Sequence, residues 1–472
     1  MRRFDRSAMR MLSRSFRART LRMFLLACGS GLLVAVMVAA CSSGSGSAFG
    51  NGSVGAGDGG GSIGALGGDG GTQGCVGLGC KKVSCSGGAT TTLSGQVFDP
   101  AGKNPLYDVA VFVPSTMPLP PLTNGVSCDR CGATLLNPAA SGITDENGKF
   151  TLTDVPVDAN IPVVVQVGKW RKTYTLATVN PCVDNPMPTP LTLPKNGTEG
   201  DIPQMAVAVA RADALECLLV GMGLDATEFS TGASGAGHVH MFPSATNQDL
   251  WASETTLAPY DIVLLDCEGD EISSNKTTAN LQGMHDYAGA GGRIFATHYH
   301  YIWFKGSSLG ESHPVSAPAD FVSAANWKPT SASGASGSGT YAVDQTFPKG
   351  VSFAKWLVNV GASSTLGSIP LDKIADSVVT VNNPPSTQWI SGSGNVQYMS
   401  FNAPTTVSAD QQCGRAVFSD LHVSGSGASS FPSDCSFDKS GDLTPQQKAL
   451  EFLFFDLSSC VESNSVAPTP PR

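Results

Sequence analysis

The sequence predicts an α/β domain, a mostly parallel sheet flanked by helices, preceded by a small all-β sandwich. Three observations predict this. Ile262 to Leu265 form an unbroken apolar run, which suits a strand covered on both faces. From Thr277 the period becomes helical, with Leu281, Met284 and Ala288 on one stripe until Gly-Ala-Gly-Gly at 289–292, and Arg293 to Thr297 is the next strand. Between Leu93 and Leu176, short β-rich runs alternate with Pro, Gly, Asn and Asp turns.

The chain opens on a different kind of segment. Eight arginines between Arg2 and Arg22 precede an apolar run, Met23 to Ala40, that ends Val38-Ala39-Ala40 before Cys41. This junction resembles the lipobox of bacterial lipoproteins. The resemblance implies a signal peptide over 1–40, acylation of Cys41, and a lipid membrane as partner. Ser42 stands where an inner-membrane retention signal has Asp, so the resemblance implies the outer membrane of a Gram-negative cell envelope. An ordinary secretory signal or a single transmembrane anchor is the plainer reading. Loss of 1–40 removes eight Arg and one Asp, leaving 21 basic and 37 acidic residues and a net charge of −16. Such a surface repels phosphate backbones and excludes nucleic acid as a partner. Eleven cysteines follow Cys41, and in an exported chain most are expected to pair, the odd number leaving one over.

Residues 41–90 read as a Gly/Ser-rich tether, too poor in apolar surface to fold, ending in Cys75, Cys80 and Cys85. These three suit a disulfide collar better than a metal knot. Over 91–190 the expected strands are Ser94–Phe98, Val109–Val113, Lys149–Leu152 and Ile161–Val167, with Asp145-Glu146-Asn147-Gly148 as a turn. SGQVFDPAGKNPLYDVAVFV and TDENGKFTLTDVP, with Thr144, Asp145, Gly148 and Phe150 in the turn, resemble the carboxypeptidase regulatory-like domain. That resemblance implies a transthyretin-like sandwich without chemistry of its own. A Pro-rich loop carrying Cys128 and Cys131 interrupts it. For these two a structural disulfide is expected, within the loop or to Cys182, over a redox or zinc role.

After a Pro-rich bridge, 205–462 carries the α/β pattern. Met205 to Ala210 reads as a buried strand, and Leu215, Leu218, Leu219 and Met222 as a helix beginning near Asp213. His238 to Phe242 is a further strand. Residues 305–375 read as a Ser/Gly-rich insertion with one short helix near Phe353 to Val358. Thr387–Ile390 and Val396–Phe401 form a hairpin, and Arg415 to His422 a strand. The last helix has Thr444 as N-cap, Pro445 at its first position and Gln447 completing a capping box. Leu450, Leu453, Phe454 and Leu457 lie on its apolar face.

YDIVLLDCEG, GGRIFATHYH and GRAVFSDLHV followed by a helix together resemble the class I glutamine amidotransferase-like fold and its ThuA-like branch. The resemblance implies a flavodoxin-like sheet, with Gly291, Gly292, His298 and His422 at the family's positions. An amidotransferase needs a cysteine on a glycine-flanked strand-to-helix elbow. Here that strand leads into His298-Tyr299-His300, so glutamine hydrolysis is not expected.

Open α/β sheets bind ligands beyond the carboxyl ends of their strands, where Asp266, Cys267, Glu268, His298, His300 and His422 are expected. Two chemistries suit them. Cys267 with His298, His422 and Glu268 would make a nucleophilic or acid–base set, unless Cys267 is bonded to Cys217. His298 and His300, pointing the same way if the strand continues, would with His422 and Asp266 hold a divalent metal such as zinc. Cys413 and Cys435, bracketing one strand, are expected to pair. Two functions follow: a non-catalytic envelope binding or structural module, with carbohydrate or another envelope component as ligand, or a metal-assisted hydrolase acting on saccharides.

Overall fold

The computed structural model describes residues 75–131, 137–329, 337–423, 430–435, 437 and 441–470. The expected signal peptide, Cys41 and most of the tether lie outside them. Among the described residues no helix is long and apolar enough to cross a membrane.

Eight strands build the amino-terminal part: β1 (Thr92–Phe98), β2 (Ala110–Val113), β3 (Ala140–Ile143), β4 (Lys149–Thr153), β5 (Ala159–Val167), β6 (Trp170–Thr178), β7 (Asp184–Pro186) and β8 (Leu191–Thr192). They form two four-stranded sheets, β4-β1-β7 with β8 also on β1, and β3-β2-β5-β6. Alternation explains the packing: in β4 Phe150 and Leu152 are buried while Lys149, Thr151 and Thr153 face water. Asp145 closes the turn before it by accepting from the backbone N–H groups of Asn147 and Lys149 at 2.8 and 2.9 Å.

The rest of the chain forms one 12-stranded sheet. Its strands are β9 (Met205–Val209), β10 (Phe229–Thr231), β11 (Val239–Pro243), β12 (Ile262–Leu265), β13 (Arg293–Thr297), β14 (Ala325–Trp327), β15 (Gly337–Val343), β16 (Ser368–Ile374), β17 (Val378–Val381), β18 (Ser386–Gly392), β19 (Asn395–Ala403) and β20 (Gly414–Ser419). The order is β10-β11-β9-β12-β13-β20-β19-β18-β15-β16, with β17 on β19 and β14 on β17. Helices α1 (Leu215–Gly221), α2 (Glu254–Leu257), α3 (Thr278–Ala290), α4 (Ile302–Lys305), α5 (Ala319–Val322), α6 (Pro348–Asn359) and α7 (Pro445–Ser458) complete it.

This corrects the expected fold class. Among the described strands five pairings of the large sheet are parallel and six antiparallel. Among the described helices only α3, α6 and α7 exceed ten residues. The molecule is β-rich, not a flavodoxin-like sheet flanked by helices. The difference arises over 305–403: the expected hairpin is present as β18 and β19, β17 joins it, and the expected insertion at 305–375 supplies β14, β15 and β16. Its Ser, Gly and Thr content hides strands whose pairing depends on distant partners rather than on local propensity. The short helix expected near Phe353 is the longer α6.

The disulfides also differ from expectation. Cys75 pairs with Cys80 and Cys85 with Cys182; Cys128 pairs with Cys413, Cys131 with Cys460, and Cys217 with Cys435. Neither a Cys128–Cys131 loop bond, nor Cys217–Cys267, nor Cys413–Cys435 forms. Cys267 is buried and free. Cys128 and Cys131 therefore bolt the sandwich loop to the large sheet and to the chain after α7. One apolar core runs across the same junction, where Tyr107 stacks on Phe452 at 5.7 Å and Trp170 meets Phe454 and Phe455 edge-on.

Candidate functional site

Strands β9, β12, β13 and β20 lie side by side and parallel, so their carboxyl ends emerge together. Cys267 follows β12, His298 follows β13 and His422 follows β20. All three are 1 % exposed. One donor atom of each lies within 4.8 Å of the others.

Cys267 Sγ is 3.3 Å from His298 Nδ1, and the rings of His298 and His422 meet edge to face at 5.2 Å. His298 adopts a φ of +40°, a left-handed turn that histidine tolerates better than most residues, directly after β13. His422 is held from three sides. Its Nδ1 donates to the Lys373 carbonyl at 2.9 Å, its own carbonyl accepts from Gln446 Nε2 at 2.7 Å, and the next residue's N–H donates to Asp213 Oδ1 at 2.7 Å. Donation by Nδ1 leaves Nε2 as the lone-pair nitrogen, and it is buried without a partner. His298 Nε2 is buried and unpartnered too.

Electrostatics decide what the cluster can do. Burial pushes the Cys267 thiol up to about 12, and burial together with neighbouring His422 brings His298 down to about 3. Thiol and imidazole are thus both neutral at pH 7. A cysteine nucleophile works as its thiolate, made by a low pKa or an adjacent base; here the thiol is shifted up, and the adjacent His298 is made too weak a base to take its proton.

The other expected ligands go elsewhere. The strand ends at Thr297 and His298–Tyr301 form a 3-10 turn, so His300 does not share His298's direction. Its Nδ1 accepts from Trp303 Nε1 at 2.9 Å, and its ring packs between Trp303 and Trp251. Burial and then Lys276 hold His300 well below the usual imidazole range. Asp266 Oδ1 accepts from the Leu215 N–H at 3.0 Å at the start of α1, so it serves that helix end. Burial, then Glu216 and Asp213, raise its pKa well above the carboxylate range. Glu268 pairs with Lys276 at 2.8 Å and accepts from Asn247 at 3.3 Å. His238 pairs with Glu228, and His240 with the Tyr260 hydroxyl at 2.9 Å, both away from the cluster.

A second feature was not legible in the sequence. A groove of about 720 Å³ is lined by Asn383, Thr387, Gln388 and Gln412, with Phe347 and Phe401 among its apolar walls. Its lining holds one carboxylate, Asp344, and no lysine or arginine. Gln388 and Gln412 each use an amide N–H on the protein, to Ser391 Oγ at 3.0 Å and the Pro404 carbonyl at 3.3 Å, which fixes their orientation. Phe401 and Asn402 pair with Ala416 and Arg415 near the start of β20, whereas His422 follows its end. Groove and cluster therefore lie at opposite ends of the sheet. The only sequence signal was the Asn-Asn-Pro-Pro run at 382–385, a turn pattern without chemical meaning by itself.

No family model and no curated protein matches this chain. Among solved structures, a cytoplasmic protein from Salmonella typhimurium is 10 % identical, with a TM-score of 0.31 over 55 % of this chain and 99 % of its own. An interface mutant of a type II cohesin–X-dockerin complex from Acetivibrio cellulolyticus is 17 % identical, with a TM-score of 0.15 over 31 % of this chain and 78 % of its own. Likenesses this slight carry no argument about fold or function.

Proposed function

We propose that the protein is an exported, lipid-tethered binding module of the cell envelope, and that the polar groove takes a neutral, hydroxyl-rich ligand of the saccharide class. The observation that carries this is the groove's lining: fixed amides and hydroxyls beside phenyl and proline faces, with a single carboxylate and no cation. Sugars offer the same mixture of hydroxyl edges and apolar C–H faces, and their recognition needs oriented neutral hydrogen-bonding groups rather than charge. The five disulfides suit an oxidising compartment, and acylation of Cys41 would supply the tether. The neutral, sealed Cys267–His298 pair argues against amidotransferase chemistry.

The test is calorimetric titration of the purified protein with neutral gluco-, manno- and chito-oligosaccharides. At least one series is expected to bind, with affinity reduced tenfold or more by Asn383→Ala together with Thr387→Ala. Absence of binding across all series, or binding indifferent to both substitutions, would remove the proposal.

A further inference from the structure

We propose that Cys267, His298 and His422 form a binding site for a closed-shell d10 cation, Zn²⁺ or Cu⁺, spanning the carboxyl ends of β12, β13 and β20. Three adjacent parallel strands each contribute one donor, with His298 in the middle. The 3.3 Å between Cys267 Sγ and His298 Nδ1 is close to the separation of about 3.5 Å that two ligands of one tetrahedral zinc ion adopt, given Zn–S and Zn–N bonds near 2.3 and 2.0 Å. His422 is built as a ligand. Its Nδ1–H is committed to a backbone carbonyl, the arrangement that fixes the tautomer of metal-bound histidines and aims the Nε2 lone pair. That nitrogen is enclosed and bonded to nothing else among the described residues.

The surroundings suit a cation. The Asp213 carboxyl accepts from Val423 N–H at 2.7 Å, which places a compensating acid beside the His422 segment. One thiolate and two imidazoles are soft-to-borderline donors; they exclude Mg²⁺ and Ca²⁺, which need oxygen, and suit zinc or monovalent copper. On binding, the thiol proton leaves to solvent and the sulfur electron pair forms the metal bond, with no change of oxidation state. The site is independent of the groove, so failure of either assignment leaves the other standing.

The experiment uses the full chain, exported by its own signal and purified without chelator. Metal content is measured by plasma mass spectrometry. The metal-free protein is then titrated anaerobically with Co²⁺ as a spectroscopic stand-in for zinc, and separately with Cu⁺ against a chromophoric competitor. One equivalent per chain is expected, with a thiolate-to-cobalt charge-transfer band if the site is of the zinc type and competitive Cu⁺ capture alone if it is of the copper type. Cys267→Ser is expected to abolish that band and weaken binding 100-fold or more, His422→Gln tenfold or more, and His313→Ala, an exposed histidine elsewhere, not at all. Circular dichroism and the non-reduced mass, which counts the five disulfides, show that each variant is folded. If neither ion binds stoichiometrically to the parent, or if folded Cys267→Ser and His422→Gln bind as the parent does, the assignment is wrong.

Discussion

Asp99 and Glu451 are both fully buried, one just after β1 and one inside α7, and Asp99 Oδ2 and Glu451 Oε1 have no hydrogen-bond donor among the described residues. Two such neighbouring buried carboxyls are accommodated together when one carries a proton and donates to the other. Burial, partly opposed by the neighbouring Glu451, raises Asp99 to about 6, and burial together with the charge of Asp99 raises Glu451 well above 4.5. Both folded values exceed the unfolded ones, so the pair's contribution to stability is complete below about pH 4 and declines as pH rises. Asp99's share is lost through about pH 6. Glu451→Gln keeps a hydrogen-bonding group, including the bond from Asn104 Nδ2 at 2.7 Å, and removes the proton requirement. Urea unfolding is expected to show this variant more stable than the parent by about 1–3 kcal/mol at pH 7.5, with the advantage shrinking at pH 4.5. Parallel stability profiles for the two proteins would mean that no proton is shared. The candidate cluster was also partly legible residue by residue. Strand-end position nominated Cys267, His298 and His422, but the same reasoning nominated His300, Asp266 and Glu268, whose partners Trp303, Leu215 and Lys276 no spacing rule connects to them.

Among elements, the legible ones carry their own punctuation. Helix α7 begins where Thr444, Pro445 and Gln447 predict: Thr444 Oγ1 accepts from the Gln447 N–H at 3.3 Å, and Gln447 Oε1 from the Thr444 N–H at 2.9 Å. The neighbouring Gln446 holds the His422 carbonyl, so this helix start also positions the proposed metal ligand. Thr444→Ala is expected to cost about 1 kcal/mol in thermal or urea unfolding. A loss below a few tenths would show that the box is redundant with the helix's packing. Helix α3 stops where glycine permits it, since Gly291 at its C-cap has a φ of +124° and a Cβ there would fall 2.1 Å from the Ser127 carbonyl oxygen. Strands β14 to β16 had no such marks, whereas the hairpin of β18 and β19 was expected. The exposed residues of β15 are Gly, Ser, Thr and Ala, and half of each strand's identity comes from the neighbour it pairs with.

For the whole molecule, the disulfides set how the parts are held. The Cys128–Cys413 and Cys131–Cys460 bonds close loops of 285 and 329 residues and join the sandwich loop to the start of β20 and to the chain after α7. Replacing all four of these cysteines by Ser is expected to lower stability by about 3–5 kcal/mol and to make the loop at 126–131 the first region to exchange amide hydrogens. Unchanged stability and protection would mean that the shared apolar core alone holds the junction. By itself the sequence determined what depends on neighbours in the chain: the order of the strand–helix–strand stretch, the turn before Lys149, and the caps of α3 and α7. The three-dimensional arrangement alone decided which cysteines meet, that a Ser- and Gly-rich stretch supplies three strands of the large sheet, and that one thiol and two imidazoles converge while a third imidazole turns into an indole pocket. The reason is physical. Caps and turns are made by groups a few bonds apart, whereas disulfide partners, strand pairs and ligand sets are chosen by burial across hundreds of residues, and composition records only that such partners exist.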